Sequence, residues 1–327
     1  MAERDYSAAW AVPARPNFLA GTAIEIVRAP MLAAAPKHAL FDFDGTLSLI
    51  REGWMDIMVP MMVEILLPFA GKDETPASIE SLVRDFVSAL TGKQTIYQMI
   101  RLAEEVRIRG GHPEDPQEYK GRYHDRLMSR IALRREGLAS GSIVAGDMLV
   151  PGSVDILKTL RDRGVAIYIA SGTDEAYVLE EARLLGLEGY APGRIYGAQR
   201  DHASFSKELV IRRILEENEV EGSSLLAFGD GYVEISDCKA VGGTSVAVAS
   251  DEAGRSGRPD AWKRERLVGA GADIVVPDYR ETAALMDYLW GRVRAEPASS
   301  AACSTIAPAV DTADSGKPTH QGNGGRP

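Results

Sequence analysis

The chain has 327 residues, of which 45% are hydrophobic and 26% are charged, as in a soluble globular protein of about two domains. Its formal net charge of -10 excludes a broad electrostatic attraction to nucleic acid or to an anionic membrane. The two cysteines, Cys238 and Cys303, are too few for a disulfide framework or a zinc site and fit a reducing cytosol. No apolar run is long enough to span a bilayer and no signal peptide is evident, so we expect a cytoplasmic protein without a membrane partner.

The two ends of the chain differ in composition from the part between them. Residues 1–36 read as an irregular extension, within which residues 23–27 are suited to a short edge strand. Residues 295–327 are rich in Ala, Ser, Gly, Pro and Thr and bury too little apolar surface to order themselves, so we predict a disordered tail.

The first buried strand is predicted over residues 38–43, and it runs into the carboxylates Asp42 and Asp44, then Gly45 and Thr46. The two carboxylates leave an extended chain on the same side, and Gly45 tolerates the backbone angles of a break after the strand. Carboxylates at a strand end are costly to bury unless a partner neutralises them, and hard divalent cations prefer oxygen ligands. The segment therefore predicts a magnesium-assisted site with one carboxylate as nucleophile and the other for proton transfer.

Residues 51–145 carry an almost wholly helical pattern. An insert at this point forms a helical cap domain over the strand ends, where open α/β sheets bind their ligands. Within it, residues 54–69 are rich in Met, Ile, Leu and Val, and we interpret them as the core of the cap in preference to the lining of a pocket. Four arginines at spacings of four form a stripe. We interpret it as a solvated helix face in preference to a binding site for a second phosphate. The arginines are Arg122, Arg126, Arg130 and Arg134.

Beyond the cap, short apolar runs alternate with helical patterns. Further strands are predicted at residues 165–170, 224–228, 245–249 and 273–276. Crossover helices are predicted at residues 153–163, 174–185, 206–218 and 279–293. The alternation predicts a doubly wound α/β fold with a mostly parallel sheet, its catalytic core formed by residues 37–50 and 146–294.

Polar residues recur where these apolar runs end. Ser171-Gly172-Thr173 follow one predicted strand, Gly229-Asp230-Gly231 follow another, and Lys207 opens the helix before the latter. Each is weak evidence alone, because such a turn is usually a helix cap and a lone lysine is usually solvated. All of them in order, after strands of one sheet, indicate a common site.

In this order the motifs resemble those of the haloacid dehalogenase superfamily of phosphohydrolases, in particular phosphoglycolate phosphatase-like and β-phosphoglucomutase-like members with a helical cap after the first motif. The resemblance implies that Asp42 attacks phosphorus to form an aspartyl-phosphate and that Asp44 transfers protons. It implies that Ser171 and Lys207 bind the phosphoryl group. It also implies that Mg²⁺ is the cofactor, bound by Asp42, the backbone carbonyl of Asp44, and Asp230.

The family usually places a second aspartate about four residues after Asp230, and this chain has Glu234 there. Glutamate is one methylene longer, and we expect Glu234 to reach the metal directly or through water. Asp237, one helical turn further on, is the rival ligand. Four further residues are assigned to phosphate or substrate binding, namely Thr46, Gly172, Thr173 and Arg51. Arg51 lies on the connector that leaves the first motif, and it is the expected contact from the cap side.

These observations predict a magnesium-dependent phosphatase for a small phosphorylated metabolite, such as a sugar phosphate. The presence of Asp44 narrows the family chemistry to phosphoester hydrolysis or phosphoryl mutation. A phosphomutase of the β-phosphoglucomutase type is therefore the first alternative. A non-catalytic binding protein with the same fold is the second, and the intact set of charged motif residues argues against it. The sequence assigns no oligomeric state.

Overall fold

The computed structural model describes residues 5–29 and 35–294, so the predicted disordered tail at residues 295–327 lies outside the described residues. Seven strands form one sheet in the order β1-β7-β6-β5-β2-β3-β4. The strands are β1 (Glu25–Ile26), β2 (His38–Phe41), β3 (Ala166–Asp174), β4 (Ile195–Ala198), β5 (Leu225–Gly229), β6 (Thr244–Val248) and β7 (Ile274–Val276). The predicted doubly wound α/β fold is confirmed.

Strand β2 lies between β3 and β5 and is parallel to both, with His38 opposite Ala166 on one side and Leu225 on the other. The chain then builds outward to β4 on one side of β2 and to β7 on the other. This reversal of strand order creates a crevice at the carboxyl end of β2, where ligands of such sheets bind. All four residues of β2 are buried, as expected for a strand covered on both faces.

Strand β1, from the N-terminal extension, pairs antiparallel with β7 and so forms one edge of the sheet. Both of its residues are buried. The carboxylate of Glu25 accepts two hydrogen bonds of 2.6 Å from Arg264, a residue of the helix that follows β6. The extension is therefore part of the folded core, and the predicted edge strand is confirmed.

Ten α-helices lie within the described residues; five of them lie between β2 and β3, and the first four of these five form the insert. These four are α1 (Met55–Leu66), α2 (Pro76–Leu90), α3 (Thr95–Ile108) and α4 (Pro116–Ser140). The others are α5 (Ser153–Asp162), α6 (Glu175–Leu184), α7 (Lys207–Glu217), α8 (Tyr232–Ala240), α9 (Ala261–Ala270) and α10 (Thr282–Leu289). No helix in residues 5–29 and 35–294 is long and apolar enough to cross a bilayer.

Apolar side chains of the inserted helices belong to one continuous buried cluster that also includes residues of β2, β5 and β6. Met61 and Met62 of α1 are fully buried in it, as the core interpretation predicts, whereas Met58 is buried and also lines the cavity described below. On α4, Arg122 and Arg126 are exposed and pair with glutamates on the surface of the same insert. The arginine stripe is thus a solvated face along most of its length, as interpreted from the sequence.

The sequence prediction was wrong at two places beside the site. Strand β3 does not end before Ser171 but continues to Asp174, because the chain resumes pairing with β4 at Asp174 and Ala198 after an irregularity. Strand β4 was not predicted at all. Its four residues, Ile-Tyr-Gly-Ala, include a glycine that weakens the strand pattern, and the strand lies at the edge of the sheet.

Candidate active site

The centre of the site is a buried lysine between two buried carboxylates. Lys207 begins α7 and its ammonium lies 2.7 Å from Asp42 Oδ1 and 2.7 Å from Glu234 Oε2. Burial raises the pKa of the Asp42 carboxyl and of the Glu234 carboxyl. Burial also acts to lower the pKa of Lys207, but the two carboxylates outweigh it and raise that pKa. The lysine is therefore held charged where it can neutralise only part of the surrounding negative charge.

Asp230 follows β5 and completes a cluster of carboxylates with Asp42 and Glu234. One oxygen from each of the three lies within 4.8 Å of the others. Among the described residues, Asp237 does not join this cluster. Glu234 is in place to serve a cation, although both of its oxygens already accept hydrogen bonds, one from Lys207 and one from the Gly231 backbone N–H.

The net charge around this cluster is negative and could be balanced by a divalent cation. The group comprises four carboxylates and two ammonium groups, namely Asp42, Asp230, Glu234, Glu252, Lys207 and Lys263. If all six are ionised, two negative charges remain uncompensated, and buried uncompensated charge is costly. The donor atoms are all oxygen, the ligand that hard cations such as Mg²⁺ prefer. The residues present therefore fit the cation that the sequence predicts.

Only one of the two carboxylate oxygens of Asp44 accepts hydrogen bonds from the described residues. Its Oδ2 accepts hydrogen bonds from the Ser171 hydroxyl at 3.1 Å and from the Thr173 hydroxyl at 2.9 Å. Its Oδ1 is buried and has no hydrogen-bond partner among the described residues. The nearest cation to Oδ1 is Arg51 Nε at 3.7 Å, beyond hydrogen-bond distance. The side chain is thus fixed through Oδ2, while the buried Oδ1 makes no hydrogen bond to the described residues.

Arg51 lines the cavity as predicted, but its guanidinium is committed to a partner that the sequence did not indicate. Its Nε and Nη2 donate to the two oxygens of Glu181 on α6, at 3.0 and 2.8 Å. Burial acts to lower the pKa of Arg51, and the Glu181 and Asp44 carboxylates outweigh it and raise that pKa. This bidentate pair joins the connector after the first motif to the catalytic core, so Arg51 is a rigid wall of the site.

The inserted helices cover the site and supply most of its far wall. Eight residues of the insert line the cavity that contains Asp42 and Asp44. They are Trp54, Met58, Thr91, Gly92, Lys93, Thr95, Gln98 and Tyr123. The surface they form is mixed, with an apolar patch from α1 and hydrogen-bonding groups from α3 and α4.

The segment that joins α2 to α3 lies directly on the motif glycines of the core. A Cβ atom at Gly172 would stand 2.8 Å from the Lys93 carbonyl oxygen, and one at Gly92 would stand 3.0 Å from Gly231 Cα. Gly92 also has a φ of +102°, which favours glycine. Gly172 is therefore required for this close approach. It also lines the cavity, and its role in phosphate binding stays a prediction.

A family model for haloacid dehalogenase-like hydrolases matches residues 36–242 of this chain. The chain belongs to the haloacid dehalogenase-like hydrolases. The predicted family and the prediction of a hydrolase are thereby confirmed. Comparison with curated protein sequences gives no match.

Solved structures of similar fold have low sequence identity to this haloacid dehalogenase-like hydrolase. A β-phosphoglucomutase from Clostridium difficile is 13% identical, with a TM-score of 0.53 over 79% of this chain and 100% of that one. A predicted phosphatase from Clostridium acetobutylicum is 17% identical, with a TM-score of 0.48 over 76% and 97% of the two chains. A predicted phosphoglycolate phosphatase from Haemophilus somnus is 14% identical, with a TM-score of 0.49 over 77% and 99%. The first of these supports the fold alone.

Within the matched family segment, Thr46 stands apart from the cavity. Its side chain is fully buried, and its hydroxyl donates to Asp230 Oδ1 at 3.3 Å while accepting from the Asp230 backbone N–H at 2.9 Å. The sequence assigned Thr46 to phosphate or substrate binding. Its contacts instead make it a support for Asp230.

Three residues of the site carry no motif and were missed from the sequence. Glu181 fixes Arg51 from α6, and Lys263 on α9 contacts Asp230 at 2.8 Å. The ammonium of Lys93 is buried, and it pairs at 2.7 Å with Asp5 of the N-terminal segment. Only Lys93 carried a local signal, because the adjoining Gly92 interrupts an otherwise helical insert and marks a loop.

Proposed function

We propose that this haloacid dehalogenase-like hydrolase cleaves the phosphate monoester of a small metabolite, with Mg²⁺ as cofactor and Asp42 as nucleophile. The observation that carries the proposal is the state of Asp44. Its Oδ2 is fixed by two hydroxyls, its Oδ1 has no hydrogen-bond partner among the described residues, and Asp44 lines the same cavity as Asp42. A carboxylate held beside a carboxylate nucleophile, with one oxygen that makes no hydrogen bond to the protein, is suited to proton transfer to a leaving group.

In the first step, an oxygen of Asp42 bonds to phosphorus as the bond from phosphorus to the ester oxygen breaks. Asp44 gives its proton to the departing oxygen, which leaves as an alcohol. In the second step, a water molecule attacks phosphorus and loses its proton to Asp44, and phosphate leaves with the Asp42 carboxylate restored. Asp44 thus ends protonated, ready for another turnover.

The remaining groups position the reaction and neutralise its charge. Lys207 holds Asp42 Oδ1 at 2.7 Å and places a positive charge beside the transferring group. Ser171 and Thr173 orient Asp44. Asp42, Asp230 and the carbonyl of Asp44 would hold Mg²⁺, with Glu234 beside them. The bound ion would supply positive charge next to the phosphoryl oxygens.

The covered cavity and its lining support a small polar substrate. Trp54 and Met58 offer an apolar patch, and the side chains of Thr95, Gln98 and Tyr123 offer hydrogen-bonding groups on the same wall. Carbon-bound hydroxyl groups present both kinds of surface, so a sugar phosphate or phosphorylated polyol fits this wall best. We therefore propose a sugar phosphate or phosphorylated polyol as the substrate class.

The test is phosphate release from a panel of phosphorylated metabolites, with Mg²⁺ and with chelator, for wild type, Asp42→Asn and Asp237→Asn. The last is the matched control, because it makes the same change on α8 outside the carboxylate cluster. We expect release that requires Mg²⁺, falls by at least about a thousandfold in Asp42→Asn, and stays within about threefold in Asp237→Asn. Release that persists in Asp42→Asn would refute the mechanism.

A phosphomutase uses the same nucleophile and acid, so one further arm separates it from a phosphatase. A mutase converts its substrate to a phosphate isomer and depends on a bisphosphate that regenerates the phosphorylated aspartate. The proposed phosphatase should release phosphate without such an activator and form no isomer. Activator-dependent isomerisation without phosphate release would replace the phosphatase with the mutase.

A further inference from the structure

A third lysine enters the site from a part of the chain that follows the matched family segment. The Lys263 ammonium lies 2.8 Å from Asp230 Oδ2, 2.6 Å from Glu252 Oε1 and 3.0 Å from Ser250 Oγ. All three of its own hydrogen-bonding positions are thereby used. The family match ends at residue 242, so Lys263, Glu252 and Ser250 lie outside the matched segment, whereas Asp230 lies within it. We propose that Lys263 is a positioning residue that orients Asp230 for the divalent cation.

The inference rests on the proposed function, because it takes Asp230 as a cation ligand. The Asp230 carboxylate is held from two sides, by the Thr46 hydroxyl at Oδ1 and by Lys263 at Oδ2. Neither contact alone fixes a carboxylate that rotates about its χ2 bond, and the two together do. Ligands whose orientation is fixed before binding lose less freedom when the cation arrives.

Lys263 also ties Asp230 to the backbone of the first motif. The Ser250 hydroxyl, which accepts from Lys263, itself donates to the Gly45 carbonyl oxygen at 2.6 Å. Gly45 follows Asp44, whose carbonyl is the expected backbone ligand of the cation. One ammonium therefore sets the distance between two ligands that come from different strands.

Two opposing effects decide the sign of the contribution. A lysine beside a cation ligand repels the cation, and a lysine that orients the ligand favours binding. Glu252 pairs with Lys263 at 2.6 Å, so the pair carries little net charge and the repulsion is largely cancelled. The orienting effect then prevails, and loss of such supporting contacts typically weakens metal binding by about 10–100-fold.

The experiment measures Mg²⁺ binding to the full chain by isothermal titration calorimetry and by the Mg²⁺-dependent rise in Tm. The variants are Lys263→Met, Glu252→Gln and Lys239→Met. Lys239 is the matched control, since it pairs with the buried Asp273 at 2.9 Å and its side chain is 11% exposed, against 12% for Lys263. We expect Kd for Mg²⁺ to rise at least about tenfold in Lys263→Met and to stay within about twofold in Lys239→Met.

Glu252→Gln is expected to weaken Mg²⁺ binding too, because it leaves the Lys263 charge without its counter-ion. An unchanged Kd in folded Lys263→Met, or an equal loss in Lys239→Met, would overturn the inference. Wild type that binds Mg²⁺ without releasing phosphate would refute the proposed function and leave the inference to be judged on binding. Wild type that binds no Mg²⁺ would overturn both.

Discussion

The change Gly45→Ala tests the architecture of the cation site most directly. Gly45 has a φ of +73°, and a Cβ atom there would overlap Asp230 Oδ2 and stand 2.8 Å from Asp230 Cγ and 3.0 Å from Glu252 Oε1. Because carbon atoms pack at about 3.5–4.0 Å, the Asp230 carboxylate has to retreat by roughly 1 Å. The left-handed backbone adds a separate cost of about 1–2 kcal/mol for any residue with a Cβ.

Gly110→Ala separates these two effects. Gly110 has a φ of +76° and no atom within 4 Å of the position of a Cβ, so its substitution introduces the backbone cost alone. Gly110→Ala should lose about 1–2 kcal/mol in free energy of unfolding, measured with urea in the presence of chelator, and Gly45→Ala should lose more because its Cβ also displaces Asp230. A displacement of about 1 Å at a reacting centre can cost about 100-fold in rate, and only Gly45→Ala should show this loss.

The assay is a Mg²⁺ titration of kcat/KM with p-nitrophenyl phosphate, a monoester that makes few demands on the cap. Gly45→Ala should also require more Mg²⁺ for half-maximal rate, whereas Gly110→Ala should match wild type in both quantities. If the two variants lose stability equally and respond to Mg²⁺ equally, Asp230 either is no ligand or moves freely. Either result would refute the reasoning.

Two further predictions concern buried groups. Lys207→Met removes the ammonium between two buried carboxylates and should lower the free energy of unfolding at pH 8 in chelator by about 3–5 kcal/mol, against less than about 0.5 kcal/mol for the exposed Lys158→Met. Burial raises the pKa of both carboxyls and Lys207 acts to lower it, so loss of Lys207 should raise both folded pKa values further. Lys207→Met should then gain more stability than wild type as pH falls, and the deficit should shrink at pH 5; a constant deficit would contradict this. Burial also raises the pKa of the Cys238 thiol to about 12, so native Cys303→Ser protein should resist iodoacetamide at pH 8 and react fully in urea. Rapid alkylation of the native protein would show that the thiol is accessible.

The sequence predicted those parts of the site that depend on short-range pattern. Asp42 and Asp230 each follow a buried parallel strand, and β2 and β5 are neighbours, so their strand ends meet. Glu181 and Lys263 have no such signal, because each sits inside a helix where a charged residue is ordinarily a solvated one. Their importance arises from which helix packs beside which strand, and that depends on contacts far apart in sequence.

The same distinction explains the error at Ser171. Its neighbours Gly172 and Thr173 have the composition of a turn, and local propensity predicts that the strand stops before them. The structure continues the strand because β4 offers a partner for Asp174, and pairing outweighs local preference. The extended backbone places the Ser171 and Thr173 side chains on one side, which is why both hydroxyls reach the same oxygen of Asp44.

The two-residue strand β1 has a practical consequence for anyone who removes the residues that precede the family segment. A chain that begins at residue 36 keeps every motif, yet it leaves the main-chain groups of β7 without their antiparallel cover. An open strand edge is a template on which a second molecule can add its own strand. The shortened chain also lacks Glu25, the ion-pair partner of Arg264, and Arg264 is the neighbour of Lys263 in α9. Such a shortened protein is therefore expected to self-associate and to be less stable than the full chain. Both effects would be mistaken for properties of the enzyme.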